Sequence, residues 1–70
     1  MNWDQIQGQW KILAGKAKEK WGQLTDDHLD QIDGKRIELV GKIQETYGIT
    51  KDEAESQIKQ FEESNKDPHS

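Results

Sequence analysis

Few side chains in this sequence are equipped to do chemistry. The imidazoles are His28 and His69, and there is no cysteine. A nucleophile–base pair would need His28 beside an activated hydroxyl. The candidates near it in sequence are Thr25 and Thr50, and Thr25 already reads as a helix cap. Asp26, Asp27, Asp30 and Asp33, followed by Gly34, bring carboxylates close together, but the alternating ligand spacing of a calcium loop is absent. They read instead as a solvated acidic helix face, with Asp26 and Asp27 at a helix start. The glycine spacings fit neither a P-loop nor a dinucleotide fingerprint. The sequence therefore offers no catalytic, cofactor-binding or metal-ligating residue, and the expectation is a protein that is not an enzyme and needs no cofactor.

A binding surface is the better-supported alternative. Lys11 and Lys18 share one flank of a helix and Lys16 and Lys20 the other, while Trp3, Trp10 and Trp21 line an apolar stripe. Helices that pack on partners or lie on membranes use the same arrangement. Core packing accounts for the stripe more simply, because a chain with so few apolar residues needs its tryptophans inside. Lys11, Lys16, Lys18 and Lys20 are the candidate interaction surface, and with Lys35, Arg36 and Lys42 they could form a longer basic strip. Residues 1–24 hold four lysines against Asp4 and Glu19, whereas residues 25–70 hold twelve acids against six bases. That distribution suits a protein partner better than a nucleic acid, which wants concentrated basic charge.

The elements that position these residues are helical. Asn2 reads as an N-cap, and Trp3, Ile6, Trp10, Leu13, Ala17, Trp21 and Leu24 recur every three or four residues. They predict a first helix over residues 3–21, closed by Gly22 as a left-handed cap. Thr25 caps a short second helix that turns Leu29 and Ile32 inward, and Asp33-Gly34 ends it. A third helix over 35–47 carries Leu39, Val40, Ile43 and Tyr47 on one side and stops at Gly48. Thr50 with Glu53 has capping-box spacing, and Ile49 with Ala54 that of a hydrophobic staple, so a fourth helix is expected over 51–63 with Ala54, Ile58 and Phe61 inward. No strand alternation appears.

The chain also repeats itself. Residues 3–22 and 29–48 agree without a gap at nine of twenty positions, among them Ile6/Ile32, Gly8/Gly34, Leu13/Leu39, Gly15/Gly41 and Gly22/Gly48. The expected architecture is all-α, a small four-helix domain of two helical hairpins related by this duplication. Residues 1–64 form the domain and 65–70 a tail. Glycines inside helices cost about 1 kcal/mol each relative to alanine. The simplest account is that Gly8 and Gly34 mark bends while Gly15 and Gly41 admit a neighbouring helix closely. The sharper one is that helix stability is held low, so that folding responds to conditions. Charged residues at 34% and hydrophobic ones at 30% place the chain near the border of disorder, which favours that idea.

With these residues placed, the sequence resembles the CsbD-like family of small bacterial stress proteins. The likeness rests on Asn2-Trp3, Ile6-x-Gly8-x-Trp10-Lys11, Gly15-Lys16, Trp21-Gly22-x-Leu24-Thr25-Asp26-Asp27, Ile32-x-Gly34, Leu39-x-Gly41-x-Ile43-Gln44 and Tyr47-Gly48, and spans residues 2–63. It implies an all-helical fold with two hairpins packed roughly at right angles, and a role in the general stress response. The family has no assigned active site, so no residue role follows from it. Phe61 stands where relatives resembling this chain carry a tryptophan, a conservative exchange. Absence of cysteine, a start without a basic or apolar run, and no stretch long enough to cross a bilayer predict a cytoplasmic protein. A monomer or weak homodimer is expected, since a duplicated hairpin could swap between chains.

Overall fold

A computed structural model describes residues 3–65, all of whose regular structure is helical. Five helices follow one another: α1 Trp3–Gly8, α2 Trp10–Lys20, α3 Asp26–Ile32, α4 Arg36–Tyr47 and α5 Lys51–Ser64. The Asn2 cap, His69 and residues 66–70 of the expected tail lie outside the described residues, while Asn65 serves as the C-cap of α5.

The helix expected over 3–21 is two helices, which makes five rather than four. Gln9 leaves helical geometry at φ −109° and ψ 20°, and its N–H is shared between the carbonyls of Gln5 and Ile6 at 3.0 and 3.2 Å. Gly8, immediately before the break, has no Cβ to hold the helix straight. The reorientation sets Trp3 against the α3–α4 turn, where its indole Nε1 donates to the Gly34 carbonyl at 2.7 Å.

Gly22 does not take the left-handed cap. Trp21 is the C-cap of α2, at φ −116°, with its N–H on the Ala17 carbonyl. The Leu24 N–H then closes a turn onto Trp21, and both side chains are buried. Gly48 does cap α4 in the left-handed conformation at φ 64°. The α3 end uses two such residues in succession, Asp33 at φ 49° and Gly34 at φ 78°.

The core is the predicted stripe and its counterparts. Ile6, Trp10, Leu13, Ala17, Trp21 and Leu24 are buried together with Leu29, Ile32, Leu39, Val40, Ile43, Ala54, Ile58 and Phe61; Trp3, Tyr47 and Ile49 pack at its edge. α4 packs against α3 and α5, and α2 against α1 and α3. Trp21 and Phe61 bring α2 and α5 together, their ring centroids 5.3 Å apart. The indoles satisfy their polar edges as they are buried: Trp10 Nε1 donates to the Leu29 carbonyl at 2.9 Å and Trp21 Nε1 to Gln57 Oε1 at 2.8 Å.

The expectation that Gly15 and Gly41 admit a neighbouring helix is wrong for this chain. A Cβ at either would meet nothing within 4 Å, and the same holds at Gly8. The close approach is at Gly34 alone, where a Cβ would stand 2.9 Å from Gln7 Cα and 3.1 Å from Trp10 Cβ. At about 100° per residue, Gly15 lies on the side of α2 opposite Trp10, Leu13 and Ala17, which is why no helix covers it.

Candidate functional site

Helix α2 carries all four candidate lysines on its outer surface. Its inner side is occupied by Trp10, Leu13 and Ala17. Opposite them lie Ile12, Gly15 and Glu19; Lys11 and Lys18 border that strip on one flank and Lys16 and Lys20 on the other. All four lysines are exposed.

Their surroundings differ. Lys18 Nζ donates to Asp26 Oδ1 at 2.9 Å, tying the end of α2 to the start of α3. Both partners are well exposed, so the pair contributes little stability. Lys20 Nζ stands 5.6 Å from the Trp21 ring centroid, a cation–π contact at the rim of the core. Lys11 borders a groove shared with Asp30 and Asp33. Lys16 and Lys20 border another, floored by Phe61 and walled by Ser64 and Asn65.

Acids interrupt the longer basic strip imagined from sequence. Arg36 reaches Glu55 and Glu62 of α5, each at 3.8 Å, and Lys42 shares a groove with Glu38 and Glu45. A phosphate backbone passing along these residues would meet both signs of charge, which weakens the case for nucleic acid.

The residues screened for catalysis have structural duties. Thr25 Oγ1 accepts from the His28 N–H at 3.1 Å, and His28 Nδ1 accepts from the Thr25 N–H at 3.5 Å, a reciprocal cap on α3. Sequence reasoning assigned Thr25 this role but missed His28, which occupies the position where a capping box usually places Glu or Gln. Thr50 Oγ1 accepts from the Glu53 N–H at 3.2 Å, the threonine half of the capping box its spacing predicted. Among the described residues, no three acids or histidines come together in a group able to hold a metal ion.

Two features were missed in reading the residue pattern. Tyr47 hydroxyl accepts from the Gln23 N–H at 3.1 Å, pinning the α2–α3 loop to the end of α4. Ile12 and Ile37 are the large hydrophobic residues left exposed among those described, at 75% and 80%. The signal for Ile12 was its place off the apolar stripe, on the glycine side of the helix.

The family model described as CsbD-like matches residues 4–56, most of the chain. The chain belongs to the CsbD-like family. A UPF0337 protein of Rhodopirellula baltica is 72% identical over 64 residues, covering 91% of this chain and 94% of the relative. A UPF0337 protein of Pectobacterium atrosepticum is 56% identical over 66 residues, covering 94% of this chain and 96% of its own. One from Protochlamydia amoebophila is 47% identical over 66 residues, covering 94% and 100%. These names state no substrate, ligand or partner. The CsbD-like match embraces both copies of the repeat, and with them the α2 lysines, the Thr25 cap and the Gly34 turn. No helix among the described residues is long and apolar enough to cross a membrane.

Proposed function

We propose that this CsbD-like chain is a non-enzymatic protein of the bacterial stress response, acting in the cytoplasm as a hydrophilic helical domain that protects other macromolecules. The observation that supports this reading best is the open space over Gly15 and Gly41. Each interrupts the middle of a helix, and neither gains contacts within its own chain in return for the helix stability it costs. A domain of 70 residues has little stability to spare. Glycine at these positions therefore keeps the helices close to the point where solvent conditions decide their population. In this reading the repeat arose by duplication, and both copies carry the same weakness.

The test is a thermal melt followed by circular dichroism and tryptophan fluorescence, with and without trimethylamine N-oxide, for the wild type and for Gly15→Ala/Gly41→Ala. Alongside it, a heat-labile enzyme is dried with either protein and its residual activity measured. The expected result is helicity in the wild type that rises strongly with osmolyte, and protection that falls in the alanine variant. Equal protection by both proteins, or a sharp wild-type melt indifferent to osmolyte, would refute the reading.

A second reading is a protein-binding module using the surface of residues 3–21. Exposed Ile12 between the lysine flanks favours it, whereas the buried Trp10 and Trp21 leave little of an aromatic docking surface. Ile12→Ser would abolish binding to such a partner without altering the melt.

A further inference from the structure

Ile12 and Ile37 share a setting. Ile12 lies on α2 three residues before Gly15, and Ile37 on α4 four residues before Gly41, with open space over both glycines. In each case a large apolar side chain projects beside a glycine whose missing side chain leaves a gap on the same helix face.

The charges around the two faces are opposite. Lys11, Lys16, Lys18 and Lys20 surround the α2 strip, where Glu19 is the one acid on the helix itself. Lys18 is paired with Asp26 and Lys11 shares a groove with Asp30 and Asp33, which leaves the flank of Lys16 and Lys20 the more basic one. The α4 face is bordered by Glu38 and Glu45, and the one lysine there, Lys42, is half-buried in the groove with those two acids.

We propose that these faces are complementary halves of one contact, through which α2 of one copy of the chain docks on α4 of a second copy, antiparallel. Ile12 then enters the hollow over Gly41, and Ile37 the hollow over Gly15. The separations match to within one residue, about 1.5 Å of helix rise. Antiparallel alignment also brings the flank of α2 that carries Lys16 and Lys20 against the flank of α4 that carries Glu38 and Glu45, with Lys16 nearest Glu38. Parallel alignment would stack Ile12 on Ile37 and leave the space over both glycines unfilled, so shape selects the antiparallel direction.

Because the two faces differ, the contact is heterologous: a docked pair keeps one free face at each end and can add further copies. Two isoleucines and a few rim charges make an interface well below ~1,000 Å², so a Kd on the order of 0.1 to 1 mM is expected. The proposal and the protective reading both start from the open space over Gly15 and Gly41. The test of the contact measures mass rather than helicity, so the failure of one is distinguishable from the failure of the other.

The experiment is sedimentation equilibrium of the full chain from about 0.02 to 2 mM, a range set by that expected affinity. The wild-type weight-average mass should rise above the 8.1 kDa of the single chain as concentration increases. Ile12→Ser and Ile37→Ser alter exposed side chains, so each should keep the wild-type dichroism spectrum. Each should also remain monomeric, because each lacks one half of the contact. Mixed in equal amounts they should associate again, but only to dimers, the α2 face of the Ile37→Ser chain meeting the α4 face of the Ile12→Ser chain. A wild-type mass fixed at the monomer value would assign the faces to other occupants and overturn the proposal. So would single variants that still associate, or a mixture that does not recover.

Discussion

Gly8 and Gly34 occupy equivalent places in the two copies of the repeat, and the folded chain uses them in different ways. At Gly8 a Cβ would meet open space; at Gly34 it would run into the backbone of Gln7 and the side chain of Trp10, on a residue already at φ 78°. The difference arises because the α3–α4 turn lies against the α1–α2 break through Gly34, which faces Gln7 and Trp10 on either side of it. Trp3 donates to the Gly34 carbonyl, whereas the Cβ position of Gly8 itself faces open space. A repeated glycine is thus no proof of a repeated role. One copy requires it for close approach and backbone conformation, and the other uses it to bend.

The comparison is most sharply tested at its packed end. Gly34→Ala should destabilise the domain by about 2 to 4 kcal/mol, since left-handed strain adds to displacement of the α1 backbone. In a domain of this size that lowers Tm by roughly 10 °C or more. Gly8→Ala should shift Tm by only a few degrees, because the site is open and adjoins a helix break. Equal losses at the two sites would show that neither the left-handed turn nor the approach of α1 sets Gly34 apart from Gly8.

Trp10 adjoins the Gly34 contact and tests its polar part. Trp10→Phe keeps most of the buried area but gives up the hydrogen bond to the Leu29 carbonyl, which retains the Asp33 N–H as a donor. A loss of about 1 to 2 kcal/mol is expected in urea unfolding, from the bond and the smaller ring. The open glycines should respond with the opposite sign. Gly15→Ala and Gly41→Ala should each stabilise by up to about 1 kcal/mol, raising Tm by several degrees, since alanine fits the space and favours the helix. A loss at either site would mean that the face is occupied in solution.

The smallest effect belongs to the surface charges. Lys18→Ala removes the exposed pair with Asp26 and should cost at most about 0.5 kcal/mol, fading further in salt. The Thr25 cap offers the contrast within the same loop. Thr25→Ala should cost about 1 kcal/mol, because it leaves the His28 N–H without its hydroxyl acceptor and breaks the reciprocal cap.

Most of the apolar core could be read directly from the chain. Intervals of three and four residues placed Ile6, Leu13, Ala17, Leu39, Ile43, Ala54 and Ile58 inward, and each is buried. Helix periodicity is a local property, so it can be read without knowing the neighbour. Thr25 and Thr50 were equally legible, because a cap acts within three residues of itself. The break at Gln9 was not, since the apolar stripe runs through it without a missed interval; the bend became visible only once α1 had a turn to lie on. The lysine flanks of α2 were placed by the same periodicity that placed its core side, but the partners Asp26 and Trp21 depended on the path of the following loop.

By itself, then, the sequence determined which residues form helices, which side of each helix is apolar, where the threonine caps stand, and to which family the chain belongs. These follow from backbone geometry and from patterns within a turn or two of helix. The tertiary structure alone decided that Gly34 is indispensable to close packing while Gly15 and Gly41 are bare, and that Trp21 finds Gln57 from 36 residues away. It also decided that Ile12 and Ile37 remain outside. Each of those outcomes depends on which surface another helix happens to cover, and coverage is a property of the assembled chain.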